Sequence, residues 1–271
     1  MSTRSTPWDP GTPSWVDLTT TDALFAHGFY ADVLGWRIDD LGPEAGHYAI
    51  CTRGGHEVAS IGPRVSPEQP IAWTTYLAVE DADKTAEAVV THGGVVLVPP
   101  MTVGDQGRLA VAVDPAGAPF GLWQAGRRIG AELVDEPGAM AWNAHRSADP
   151  EAARAFYAEV FGYTYTFAPG AGRDGEATID GAGGGRSVGA IGGFDPPVPT
   201  RTPTPTGSPA HWAVWFGVAD VDVAATTARA RGGRLIEGPV DTPFGRTAGL
   251  ADPQGARFSV VGIGATERGP G

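Results

Sequence analysis

The sequence predicts an α+β protein of four βαβββ units, taken as two tandem domains of two units each, and three observations carry that prediction. The stretch Asp22–Trp36, DALFAHGFYADVLGW, returns at Asp149–Tyr163 as DPEAARAFYAEVFGY. An order of strand, helix and three strands recurs four times along the chain. Details shared only by the second and fourth units set the longer period: VEDAD (79–83) with VADVD (218–222), HGG (92–94) with RGG (231–233), and GR…DPAG (107–117) with GR…DPQG (245–255). Recurrence of whole elements, caps included, marks an internal repeat.

The elements follow in order. After a polar lead-in over 1–13, Ser14–Thr20 alternates like a half-buried strand, with Val16 and Leu18 on one side and Trp15, Asp17 and Thr19 on the other. Asp22 then caps a helix whose apolar residues (Phe25, Phe29, Val33) recur at helical spacing up to Gly35, where a left-handed residue is needed. Trp36–Asp40, His47–Arg53 and Glu57–Pro63 read as short strands between Gly-containing turns. The second unit is a strand over Ala72–Val79, a helix over Asp81–His92, and strands near Val95–Val98, Arg108–Val113 and Pro119–Gln124. The third has the strand AMAWNA, a helix capped by Asp149 (Ala152, Phe156, Val160) that stops at Gly162, and strands near Tyr163–Phe167, Ala177–Asp180 and Ser187–Gly192. The fourth runs through His211–Val218, a helix over Asp220–Arg231, and strands near Arg234–Glu237, Arg246–Ala251 and Arg257–Val261. The expected domains are 12–126 and 137–263, joined by a linker at 127–136. A Pro/Thr/Gly-rich insert at 195–209 has too little apolar content to fold alone and reads as a surface loop or a lid.

Composition narrows the partners. At 271 residues the chain can form two domains, each with its own core. A net charge of −12 argues against nucleic acid or an anionic membrane surface, both of which need a concentrated basic face. The single cysteine, Cys51, leaves no disulfide framework and reads as a buried thiol. No apolar h-region opens the chain and no run reaches membrane-spanning length, so the expected location is cytoplasmic. The expected partner is a small molecule, and the expected assembly a monomer or homodimer.

Paired βαβββ units with a capped FYxxxxG helix and a DPxG turn before the last strand resemble the vicinal oxygen chelate superfamily of glyoxalase I, extradiol dioxygenases, and fosfomycin- and bleomycin-resistance proteins. The resemblance covers nearly the whole chain, twice, and is nearest to tandem glyoxalase-like members. It implies that two units close a cupped mixed sheet around a cavity, with helices packed outside. Val16, Leu18, Thr75, Leu77, Val214 and Phe216 would lie under helices, and Trp15, Asp17, Thr74, Tyr76, Ala213 and Trp215 would face the cavities. Metal-using members hold a divalent ion with His, Glu or Gln on the first and last strands of each unit. Those positions fall here on Trp15, Ala59, Thr74 and Gly121, and on Trp142, Gly189, Ala213 and Ser259. None is a good ligand, so no metal and no other cofactor is expected.

Without a metal, chemistry falls to aromatic walls and a few polar groups. In the first cavity these are Trp15, Trp123 and Tyr76 as walls, with Asp17, Thr74 and the Tyr76 hydroxyl as polar contacts. A carboxylate between indole and phenol faces is partly desolvated, which suits Asp17 to general-base work; the alternative is a structural Asp bonded to a backbone N–H or to Arg108. Ala144 replaces Asp17 in the second repeat, so the cavities differ. There Trp142, Trp215 and Trp212 supply area, and His211 and Ser259 are the polar candidates, His211 for proton exchange. Arg108 and Arg246 read as anchors for turns or carboxylates, His145 alternates toward the helix side, and the DPxG turns and GAGGG (181–185) receive no chemistry. Four functions compete: a glyoxalase-like lyase or isomerase, or natural-product tailoring protein, using Asp17; a small-molecule sequestration or resistance protein of the bleomycin-binding type; a metal-dependent lyase or dioxygenase; and an interaction protein with vestigial pockets, favoured if tryptophan side chains fill both cavities.

Overall fold

The computed structural model describes residues 2–167, 175–181, 187–194 and 209–264. The insert at 195–209 thus lies outside the described residues apart from Pro209, and so does GAGGG apart from Gly181. The first domain runs β2 (Pro13–Thr20), α1 (Ala23–Leu34), β3 (Arg37–Asp40), β4 (Ala49–Arg53), β5 (His56–Pro63), β6 (Ala72–Ala78), α2 (Ala82–Thr91), β7 (Val95–Val103), β8 (Gly107–Val113) and β9 (Pro119–Ala125). The second repeats it as β11 (Met140–Arg146), α3 (Pro150–Phe161), β12 (Thr164–Phe167), β13 (Ala177–Asp180), β14 (Ser187–Gly192), β15 (His211–Val218), α4 (Val221–Ala230), β16 (Arg234–Thr242), β17 (Gly245–Ala251) and β18 (Arg257–Gly262). Two short strands lie outside the repeats, β1 (Ser2–Thr3) and β10 (Leu133–Val134), and pair antiparallel, tying the lead-in to the linker.

Each domain is one eight-stranded mixed sheet, in the order β3-β4-β5-β2-β6-β9-β8-β7 and its counterpart β12-β13-β14-β11-β15-β18-β17-β16. The units meet at an antiparallel centre (β2 with β6, β11 with β15), and each first strand runs parallel to the last strand of its own unit. The helices start and stop where the sequence puts them: Asp22 and Asp149 accept from the N–H groups of Phe25 and Ala152, and Gly35 and Gly162 adopt left-handed φ of 69°. The strands β7 and β16 run longer than expected, through Pro99-Pro100 and Gly238-Pro239, with register shifts. Both are edge strands, where a missing N–H costs least.

The helix-covered faces of the two domains pack on each other. One core joins Leu18, Phe29, Tyr30 and Trp73 of the first domain to Phe216, Val221, Ala224 and Phe258 of the second; another joins Leu77, Val89 and Phe120 to Phe156, Tyr157 and Trp212. Alternation along β2 and β15 thus puts Val16, Leu18, Val214 and Phe216 under helices, as the repeat implies.

Polar locks cross this interface, and they join the two sequence signatures. The Tyr30 hydroxyl of the first FY motif donates to Asp252 Oδ2 of the DPQG turn at 3.2 Å and accepts from Trp73 Nε1 at 3.1 Å. In mirror fashion Tyr157 donates to Asp114 Oδ2 of the DPAG turn at 3.1 Å and accepts from Trp212 Nε1 at 2.8 Å. The aspartates hold their own turns as well, Asp114 accepting from the N–H groups of Ala116 and Ala118 and Asp252 from those of Gln254 and Ala256. His145, facing the helix side, bonds Asp114 Oδ2 at 2.7 Å with both side chains fully buried. Leu18 occupies its place in the first repeat, so this pair exists on one side only.

Two expected cup positions need correction. Ala59 packs in the helix-side core, and Ser60 is the residue paired with Asp17. Likewise Ala190, not Gly189, pairs with Ala144, while a Cβ on Gly189 would meet Asn143 O at 2.9 Å and the core residue Ile179 at 3.4 Å. The cause is an extra residue on each strand: between the pairs Cys51–Ala59 and Thr52–Glu57 the register skips Val58, and between Ile179–Gly189 and Asp180–Ser187 it skips Val188. Such a bulge reverses facing beyond it. Among the described residues no helix is long and apolar enough to cross a membrane.

Candidate functional site

The helix-free face of the first sheet carries Asp17 at its centre. On β2 it sits beside Ser60 of β5 and opposite Thr74 of β6. Ser60 Oγ accepts from Trp15 Nε1 at 2.9 Å and donates to Asp17 Oδ2 at 3.2 Å; the Tyr48 hydroxyl donates to the same oxygen at 3.2 Å. Gly62 makes room for Tyr48, whose ring a Cβ there would meet at 2.6 Å. Both donors converge on Oδ2, and among the described residues none reaches Oδ1, although the side chain is partly exposed. Burial pushes the carboxyl up to about 6 against the lowering effect of the Ser60 and Tyr48 hydrogen bonds. Arg108, the alternative partner, pairs instead with Asp83 at 2.7 Å. Arg246 pairs in the same way with Asp222 at 2.6 Å.

The aromatic walls lie behind this carboxyl. Trp15, Tyr76 and Trp123 are 6%, 9% and 6% exposed and pack with Ala131 of the linker. The linker and lead-in seal that end: Trp8 Nε1 donates to Ala131 O at 3.1 Å and Trp123 Nε1 to Arg128 O at 3.0 Å. Arg128 lies 5.6 Å over the Trp15 ring and forms two hydrogen bonds to Glu57, of 2.6 and 3.1 Å. Burial, then the neighbouring Asp17 charge, raises the Tyr76 and Tyr48 hydroxyls well above the ordinary tyrosine range. Both phenols therefore stay protonated as hydrogen-bond donors. Asp17, Thr74, Thr19 and Tyr48 are the polar residues here that stay partly exposed.

The second face is built differently. Trp142 pairs with Trp215, Ala144 with Ala213 and Arg146 with His211 across β11 and β15, and Ser259 of β18 flanks Trp215. Trp142, Trp215, Ser259 and His211 are partly exposed, but Trp212 is not part of this face: it is buried on the helix side against Tyr157. His211 Nδ1 lies 2.9 Å from Pro209 O. The structure thus places Asp17, Tyr76, Thr74, Trp15 and Trp123 on one sheet and His211, Trp142, Trp215 and Ser259 on the other, so Asp17 and His211 do not share a site.

Tyr48, Ser60, Glu57 and Arg128 are the site residues that sequence reasoning missed. Alternation could have raised Ser60 once the bulge was known, whereas Arg128 gave no signal because linker composition does not say what the linker covers.

The donor set does not suit the divalent ion that the fold implies. The first cup offers Asp17 and a Glu57 already paired with Arg128, beside Trp15, Ser60, Thr74 and Gly121, and among the described residues no group of three or more His, Cys, Asp or Glu could hold a metal. Gly121 cannot be converted simply, since its Cβ would lie 2.0 Å from Tyr76 Cδ1.

Comparison with known sequences decides the family. The profile of the Glyoxalase/Bleomycin resistance protein/Dioxygenase superfamily matches residues 12–122 and 139–260. The chain belongs to this superfamily. Over 257 residues it is 43% identical to CFP32 of Mycobacterium bovis, provisionally named a glyoxylase, covering 93% of this chain and 94% of that protein. It is 37% identical over 273 residues to the anthracycline biosynthesis protein DnrV of Streptomyces peucetius, covering 93% of each. Among solved structures, the Mn(II)-bound glyoxalase from Novosphingobium aromaticivorans matches with a TM-score of 0.63 at 16% identity, over 94% of this chain and 84% of that one. The 2,3-dioxygenase LapB from Pseudomonas sp. KL28 matches with a TM-score of 0.62 at 14% identity, over 94% and 93%. At such identities these two likenesses speak for the fold alone.

Proposed function

We propose that this superfamily member carries out acid–base chemistry on a hydrophobic, carbonyl-bearing small molecule in its first cup, of the lyase/isomerase or natural-product tailoring type, with Asp17 as the proton-transfer group. The observation that carries the reading is the asymmetric anchoring of Asp17: two donors fix Oδ2 while Oδ1 meets none among the described residues and the side chain stays partly exposed. A general base needs this combination of fixed orientation, an available lone pair and a pKa near the working pH. Thr74 and the protonated Tyr76 hydroxyl supply donors for an oxygen that gains charge as a C–H proton leaves. The relative named for anthracycline biosynthesis supports a tailoring role on an aromatic substrate. The reading makes the protein a cytoplasmic monomer or homodimer without nucleic-acid partners.

Sequestration of an aromatic compound is the second reading, favoured by the partly exposed Trp142 and Trp215 in the second domain. Deuterium wash-in from D2O separates the two. A panel of aromatic ketones and thiohemiacetals is followed by NMR with wild-type protein and Asp17→Asn. The proposal expects protein-catalysed exchange that falls on the order of 10²–10⁴-fold in the variant. Equal exchange by both proteins would sink it.

A further inference from the structure

We infer that the second cup is a separate binding site for a planar aromatic molecule bearing an acidic hydroxyl, held by stacking on Trp142 and Trp215 and by its O–H at His211 Nε2. The two tryptophans form one cross-strand pair and Arg146 and His211 another, with the pair Ala144–Ala213 between them. Trp142 and Arg146 lie four positions apart along the strand, about 13 Å, which is the length of a small fused-ring system. The same positions in the first repeat are Trp15 and Tyr76, Asp17 and Thr74, and Thr19 and Ala72, so its polar centre and uncharged end are replaced here by a small, apolar centre and a basic end. Flat π surfaces favour stacked aromatic ligands.

The polar end selects the hydroxyl. Pro209 O can only accept, so His211 Nδ1 carries the proton in that 2.9 Å bond and the neutral ring keeps its lone pair on Nε2. Burial is the first cause holding His211 below the ordinary histidine range, and the charges of Arg146, His145 and Arg257 act in the same direction, against the Pro209 bond. Nε2 is therefore an acceptor, matched to a ligand O–H. Arg146, in an ion pair with Glu176 and 6.0 Å over the Trp215 ring, borders this end. Gly192 gives the guanidinium its room, since a Cβ there would sit 3.0 Å from Nη1. Phe194 stacks on His211, its ring 6.5 Å away at 24°.

The test uses 1,2-dihydroxyanthraquinone and its 2-methyl ether, titrated against the full chain by tryptophan quenching. Wild type should bind the free hydroxyl compound at least tenfold tighter than the ether. His211→Phe should erase that preference, and His211→Gln, whose amide oxygen still accepts, should retain most of it. Trp215→Ala should weaken both ligands about tenfold, and Asp17→Asn should change neither affinity, which keeps this inference distinguishable from the first-cup proposal. Equal binding of phenol and ether, a preference that survives His211→Phe, loss of binding in Asp17→Asn, or no binding of either compound at millimolar protein would each overturn it.

Discussion

Asp17→Asn should stabilise the protein at neutral and alkaline pH while removing its proposed chemistry. Asn is isosteric, and its amide oxygen can accept from both Ser60 and Tyr48, so the substitution leaves the hydrogen bonds to Oδ2 in place. What it removes is the cost of holding a charge in a desolvated site. A carboxyl raised from 3.8 to about 6 by folding binds its proton more tightly in the native state than in the unfolded one, so stability falls as pH rises between those two values. At about 1.4 kcal/mol per tenfold in proton affinity, that rise amounts to about 3 kcal/mol. Well below pH 3 both states are protonated and the term vanishes; above pH 7 it is fully expressed. Urea unfolding of wild type and variant at half-unit steps from about pH 2.5 to 8 should give curves that agree at the acid end and separate to about 3 kcal/mol in favour of Asn. A difference that is flat with pH, or that favours Asp at pH 8, would refute the claim that folding strains this carboxylate.

Other consequences follow from the same structure. Asp114→Ala leaves four donors without their acceptor, three of them buried and His145 among these, and should cost about 3–5 kcal/mol by urea unfolding. Asp252→Ala, which strands only two N–H groups and the Tyr30 hydroxyl, should cost about 1–3 kcal/mol less than that. His145→Leu, the residue of the first repeat, should be milder than either, because Asp114 keeps three donors; a cost equal to that of Asp114→Ala would contradict this. Gly121→Ala should push the Tyr76 ring from its seat and cost about 1–3 kcal/mol, relieved when Tyr76 is shortened to Ala in the same chain. An additive double variant in thermal unfolding would show that the contact is not the cause.

Much of the fold was legible because its signals are local. Asp22 and Asp149 announce helix starts, Gly35 and Gly162 their ends, and alternation along β2 separates Val16 and Leu18 from Trp15 and Asp17. Facing failed where a single residue is inserted: bulges at Val58 and Val188 exchange Ala59 for Ser60 and Gly189 for Ala190, and periodicity cannot register an extra residue. Trp212 was misplaced for a related reason, since a tryptophan next to a cup-facing His211 looks like pocket surface until Tyr157 claims its N–H. The locks between FY and DPxG motifs could not be read at all. Tyr30 and Asp252 are 222 positions apart, and each motif is fully explained locally as helix and turn. The same holds for Arg128 and Ala131, whose place over Trp15 depends on the path of the linker.

Chelation separates proton transfer by Asp17, in a cup whose side chains do not form a metal site, from chemistry at a bound ion. Untagged protein would be purified without chelators, its metal content determined by elemental analysis with native mass spectrometry, and its deuterium wash-in measured before and after exhaustive EDTA treatment. Less than stoichiometric divalent metal is expected, with an exchange rate unchanged by EDTA that rises with pH through about 6, as the Asp17 carboxyl ionises. One divalent ion per chain, with exchange lost on chelation and restored by that ion, would contradict it.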